Sequence, residues 1–173
     1  TTWTAGGALN TSRYGLGAAG SQTAAVAFGG YNNSLPSGNV TGVTEEYNGT
    51  AWTDIPGGTM GTARYELAGG GTQTAAIAAF GYKYGSPLRT TATEEYDGSS
   101  WTAGGAGSTE KSNVRGGGTQ DAFLTFGGTL PPPSPGITVT TEQYDGSTWS
   151  TKPSMATARR RVGPASAGTT SAG

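Results

Sequence analysis

The hydrophobic positions of this chain come in short runs, and the runs recur. TAAVAFGG around Phe28, TAAIAAFGY around Phe80 and DAFLTFGG around Phe126 are small or apolar at nearly every position, and each ends in Phe-Gly. A run of that length, apolar on both faces, predicts a strand buried between layers. In the first unit, residues 13–20 and 23–28 predict two strands joined at Ser21-Gln22. A β-branched and aromatic stretch at 43–47 predicts a third, and the segment holding Trp52 a fourth. Asn48-Gly49, Asp97-Gly98 and Asp145-Gly146 each stand between the third and fourth strands. Such dipeptides favour two-residue hairpin turns, whose central positions need positive φ.

Other markers keep the same beat. TEEYNGTAW ends at Trp52, TEEYDGSSW at Trp101 and TEQYDGSTW at Trp149, and counting from Trp3 the tryptophans are 49, 49 and 48 residues apart. Gly20-Ser21-Gln22, Gly71-Thr72-Gln73 and Gly118-Thr119-Gln120 precede the buried runs, and Arg13, Arg64 and Lys111 stand seven residues before each of those glycines. A period of this length lies in the range of four-stranded propeller blades. The chain is therefore expected to be all-β, an array of four-stranded antiparallel sheets.

Composition narrows the class. Glycine accounts for 32 of 173 residues and apolar residues for only 33%, so stacked sheets that cover one another fit better than one large core. Charged residues are 12% and the net charge is -1, which argues against a nucleic-acid partner held by general electrostatics. There is no Cys and no His, so thiolate and imidazole metal sites, Cys nucleophiles and the commonest general base are excluded. No apolar stretch is long enough to predict membrane insertion by a helix.

The buried run, the Phe-Gly-Gly, the Tyr with its acidic turn and the following Trp resemble the kelch repeat of β-propellers over almost the whole chain. The Thr-Glu-Glu-Tyr-Asp-Gly and Gly-Thr-Gln variant is similar to kelch-like repeats of bacteriophage and environmental microbial proteins. That resemblance implies about three and a half blades: the end of a preceding blade at 1–12, blades at 13–55, 64–104 and 111–151, and the start of another at 159–173. It further implies that other copies, or the rest of a longer propeller, complete the fold. Two departures stand out: Tyr and Trp are only five residues apart, and Tyr82 takes the place of the second glycine in the second unit.

A residue present in every unit is first of all architecture, because one active site does not need three copies. Alternation along the third strand puts Glu45 with Tyr47, Glu94 with Tyr96 and Glu142 with Tyr144 on one face. The expectation is that each carboxylate pairs with Arg13, Arg64 or Lys111 of a neighbouring strand, and that Trp52, Trp101 and Trp149 anchor the packing between blades. Function is sought where the repeat breaks, in the linkers at 31–42, 82–92 and 129–139. Tyr31, Asn32, Tyr82, Lys83, Tyr84 and Arg89 offer aromatic and hydrogen-bonding groups there for a glycan or a protein. Arg159-Arg160-Arg161 reads as a solvated or interface patch, and Pro131-Pro132-Pro133-Ser134-Pro135 as loop stiffening.

These features, with the resemblance, imply a non-catalytic structural or interaction module. Its expected place is a phage virion (tail, fibre or capsid decoration) or a microbial surface, and no cofactor or metal is expected. The alternative is the propeller of a larger carbohydrate-active or galactose-oxidase-like enzyme. That copper site needs His ligands and a Cys-linked Tyr, so the catalytic residues would lie outside this chain. Glu66, Asp54 and Asp121 have no partner spacing that marks a catalytic pair. A cytosolic adaptor of the eukaryotic kelch kind is a third class.

Overall fold

Glycine-rich first strands and apolar second strands build three sheets of one design. The structure, a computed structural model, describes residues 2, 4–34, 39–133 and 136–163. Trp3 and the segment 164–173 lie outside the described residues, as do Ser134 and Pro135 of the proline run. The described residues are all-β. The first sheet is a meander of β1 (Gly17–Gly20), β2 (Ala25–Phe28), β3 (Thr44–Tyr47) and β4 (Trp52–Asp54). After the two-residue β5 (Arg64–Tyr65), the second sheet is built from β6 (Ala68–Thr72), β7 (Ala75–Ala79), β9 (Thr93–Tyr96) and β10 (Trp101–Ala103), and β5 pairs with β8 (Tyr82–Lys83). The third contains β11 (Arg115–Gly118), β12 (Phe123–Phe126), β15 (Thr141–Tyr144) and β16 (Trp149–Lys152), with β13 (Thr129–Leu130) and β14 (Gly136–Ile137) pairing apart from it. All ladders are antiparallel.

The sheets lie side by side through their first strands, β1 against β6 and β6 against β11. Glycine permits this approach. A Cβ on Gly69 would stand 3.0 Å from both the backbone N and O of Ala18 and 2.8 Å from Phe28 Cζ. Between the first and second sheets, Val26, Phe28, Met60, Leu67, Ala76, Ala78 and Tyr96 form one core. Between the second and third, Ala68, Ile77, Ala79, Phe80, Val114, Phe123 and Tyr144 form another. Burial is thus distributed over interfaces, as a low apolar fraction demands.

Three local expectations are corrected. First, the bases do not extend the first strand: β1 begins at Gly17, and Arg64 belongs to the separate β5–β8 pair. Second, in the hairpins Asn48, Asp97 and Asp145 precede the turn instead of occupying its centre. Asn48 N donates to Ala51 O, and the positive φ belongs to Gly49, Gly98 and Gly146 (92°, 94° and 92°). This is the type II′ pattern of a glycine at the first central position. The Asn48, Asp97 and Asp145 side-chain oxygens then cap the two amides that follow the glycine.

Third, the odd position of the second unit is the first glycine of the pair. Strand register equates Ala79 with Phe28 and Phe126, since they face Thr93, Thr44 and Thr141. Phe80 therefore stands where Gly29 and Gly127 stand, at φ 61° against 66° in both, and Gly81 matches Gly30 and Gly128 at φ 114°, 112° and 111°. One extra residue in the run moves the phenyl ring onto a left-handed residue, an unfavourable conformation for a bulky side chain. The ring still reaches its partner: Phe80 and Trp149 have centroids 5.1 Å apart, and Phe28 and Trp101 4.8 Å.

Candidate functional site

The repeated bases and carboxylates are paired in all three units, and the Tyr, Trp and Gln of the second and third units have partners one repeat away. The bases pair within their own unit. Arg13 Nη2 lies 3.0 Å from Glu45 Oε1, Arg64 Nη2 lies 3.2 Å from Glu94 Oε1, and Lys111 Nζ meets Glu142 Oε2. The same carboxylates accept the amides of the segment entering the sheet. Asn10 and Thr11 donate to Glu45, Gly61 and Thr62 to Glu94, and Ser108 to Glu142. A buried carboxylate held by a cation and backbone N–H groups is satisfied and fixed. Burial pushes the Glu142 carboxyl up, but its hydrogen bonds from Lys111 and Ser108 outweigh that and leave it below the usual range. Burial alone brings Arg64 down to about 10 against the opposing charge of Glu94.

In the second and third units the remaining markers reach across to the preceding sheet, whereas Trp52, expected to anchor packing between blades, lies against Tyr47 of its own unit, ring centroids 5.1 Å apart. Tyr96 Oη donates to Glu46 at 3.0 Å and Tyr144 Oη to Glu95 at 2.6 Å. Trp101 Nε1 donates to Thr44 Oγ1 and Trp149 Nε1 to Thr93 Oγ1, each at 2.9 Å. Gln73 Nε2 donates to the carbonyls of Ala25 and Tyr47, and Gln120 Nε2 to those of Ala76 and Tyr96. Burial, then the bond to Glu95, pushes the Tyr144 phenol up to about 12. The motif that looks richest in chemistry is spent on holding sheets together.

The basic triplet is part of the same pattern. Gly30 N donates to Arg64 O, Gly81 N to Lys111 O and Gly128 N to Arg159 O, so Arg159 continues the series of bases. Two positions on, Gly15, Glu66, Asn113 and Arg161 all have left-handed backbone, at φ 63°, 52°, 54° and 52°. They form a ladder from unit to unit, with Glu66 N on Gly15 O, Asn113 N on Glu66 O and Arg161 N on Asn113 O. Arg161 adds side-chain bonds to Asn113 and Glu66.

The described parts of the linkers, 31–34, 39–42 and 82–92, reach the end of the sheets opposite the hairpin turns, and there the structure assembles a cluster of rings. Tyr31 opens one linker and Tyr82 the next, bridged to Tyr14 and Tyr65 respectively. Ring centroids follow at 5.2 Å for Tyr14 and Tyr31, 5.1 Å for Tyr31 and Tyr65, and 5.3 Å for Tyr65 and Tyr82. Arg89 closes the row, its guanidinium 4.6 Å from the Tyr82 ring centre and bonded to Tyr82 Oη (2.7 Å) and Ser112 Oγ (3.0 Å). Burial and then the neighbouring phenols push the Tyr65 phenol up. Tyr14 is 51% exposed at one end, and Tyr84 is 77% exposed on the hairpin that links Tyr82 to Arg89.

Of the six expected loop residues, Tyr31, Tyr82 and Arg89 belong to the row and Tyr84 stands beyond it. Lys83 sits in β8, its amide on Leu88 O. Asn32 shapes the first linker, taking Ser34 N on its side chain and giving its amide to Asn39 O. Tyr14 and Tyr65 were missed because each follows a repeated base; the Arg-Tyr dipeptide at 13–14 and 64–65, lost to Lys-Ser at 111–112, was the available signal. A groove of about 320 Å³ lies elsewhere, between the first strands, lined by backbone and small residues including Ala18, Gly69, Gly70 and Gly117. No family model and no curated protein matches the chain.

Proposed function

We propose that the chain forms kelch-like β-propeller blades acting as a non-catalytic recognition module, which binds glycan at its loop end. What supports the propeller reading is the stacking of three four-stranded meanders through their first strands, with identical bonds at both interfaces. The observation that carries the binding reading is the row of Tyr14, Tyr31, Tyr65 and Tyr82 capped by Arg89. Aromatic rings offer π faces to the C–H face of a pyranose, while phenol and guanidinium groups meet its hydroxyls. The row is carried on loops fixed by rigid sheets, the arrangement in which binding residues concentrate. A virion or microbial surface assembly is the setting in which such a module would serve.

A glycan array probed with the labelled chain, followed by calorimetry on any ligand found, tests this reading. Binding that falls at least tenfold in Tyr14→Ala and Tyr84→Ala supports it. No glycan bound, or binding indifferent to both substitutions, overturns it.

A further inference from the structure

Among the described residues, the third sheet presents on its outer face the acceptors that the first two sheets use to hold their successors. Thr141 and Gln143 stand in register with Thr44 and Glu46, and with Thr93 and Glu95. Leu124 and Phe126 occupy the places of the fully buried Val26 and Phe28, yet are only partly buried. The first sheet presents the donors. Tyr47, Trp52 and Gln22 match Tyr96, Trp101 and Gln73, and Gln22 is exposed and Tyr47 half-buried where Tyr96 is fully buried.

We infer that these two faces are halves of one heterologous interface and that copies of this chain associate head to tail. The contact is specified by the two interfaces already present within the chain. The incoming Tyr47 hydroxyl meets the Gln143 amide oxygen, the Trp52 indole meets Thr141 Oγ1, and the Gln22 amide meets the carbonyls of Phe123 and Tyr144. Leu124 and Phe126 are then covered as Val26 and Phe28 are. Gln143 suits the role, since its amide oxygen accepts a phenol proton as a carboxylate does.

One lane is shared. Residues 155–162 run along the third unit as residues 60–67 run along the first, with Arg159 O on Gly128 N where Arg64 O meets Gly30 N, and Arg161 N on Asn113 O where Glu66 N meets Gly15 O. An incoming copy offers Arg13 O and Gly15 N for the same bonds, so the two segments exchange. The Arg161 side chain, through Asn113 and Glu66, holds the resident segment in place. A head-to-tail contact of this kind closes into a ring or propagates as a filament. It does not depend on the loop end, so loss of glycan binding leaves it standing.

Sedimentation velocity of the whole chain over a concentration series tests the inference. The expected result is concentration-dependent association, strengthened about tenfold by Arg161→Ala and weakened at least tenfold by Gln22→Glu or by Leu124→Lys. An equimolar mixture of the last two variants has one competent pair of faces and stops at dimers. Circular dichroism verifies folding, and because the two substitutions lie on opposite faces, failure of one to fold leaves the other decisive. A chain that stays monomeric at every concentration with and without Arg161→Ala, or associates regardless of both face substitutions, overturns it.

Discussion

Trp101 Nε1 donates to Thr44 Oγ1 at 2.9 Å, 57 residues back and one sheet away. The bond joins two units of the repeat, and Trp149 with Thr93 reproduces it at the next interface. Trp101→Phe keeps most of the ring packed against Phe28 and loses the bond, at a cost of about 1 kcal/mol. Thr44→Val costs a similar amount, and the double variant less than the sum, because the bond is lost only once. Urea unfolding of the four proteins measures this. Trp52→Phe, with no sheet beyond it among the described residues, is expected to cost less.

Arg64 and Glu94 form a buried pair that also receives the amides of Gly61 and Thr62. Arg64→Ala strands the carboxylate and opens the Ala78 and Ala92 carbonyls that the guanidinium covers. A loss of roughly 3–5 kcal/mol is expected. Replacing both residues by Met and Leu should cost clearly less than Arg64→Ala, since no uncompensated charge is left behind. Thermal unfolding distinguishes a stranded charge from lost packing.

The turn aspartates set an acid-sensitive window. Asp97 is brought down to about 2, first by the Ser100 amide and then by Ser99, and Asp145 is lowered by Thr148 and Ser147 in the same way. A folded-state pKa below the unfolded value, about 3.9, means the unfolded chain binds more protons. The stabilisation is therefore complete above about pH 4 and disappears as pH falls through about 2. Asn48 caps its turn without a charge. Asp97→Asn with Asp145→Asn should leave stability at pH 7 little changed and flatten its fall between pH 4 and 2, measured by thermal unfolding across pH.

Gly69 lies where the first strands of two sheets meet. A methyl there stands 3.0 Å from the Ala18 backbone and 2.8 Å from Phe28 Cζ. Neither neighbour yields easily, so Gly69→Ala should cost about 1–3 kcal/mol by overpacking. Gly57, whose added Cβ would meet nothing within 4 Å, has a left-handed backbone at φ 84°. Gly57→Ala isolates the conformational penalty from the steric one, and comparing the two in denaturant separates the causes.

Apolar runs, glycine punctuation and the repeated Thr-Glu-Glu-Tyr string determined the all-β class and the four-strand unit, because strand burial and turn chemistry are local. The base–carboxylate pairs were legible for a related reason: each joins residues of one repeat, so sequence phase carries them together. Tertiary structure alone decided that Tyr96, Trp101 and Gln73 bond to the preceding unit, since nothing in a repeat says which neighbour receives its side chains. It also decided the row of tyrosines, where Tyr14 and Tyr65 join Tyr31 and Tyr82 only because bridging strands bring different segments to one end. The shift of Phe80 onto a glycine position escaped the sequence too. Matching letters aligned the phenylalanines, whereas backbone hydrogen bonds and left-handed φ aligned Phe80 with Gly29, and the ladder, not the letter, fixes a residue's place in a sheet.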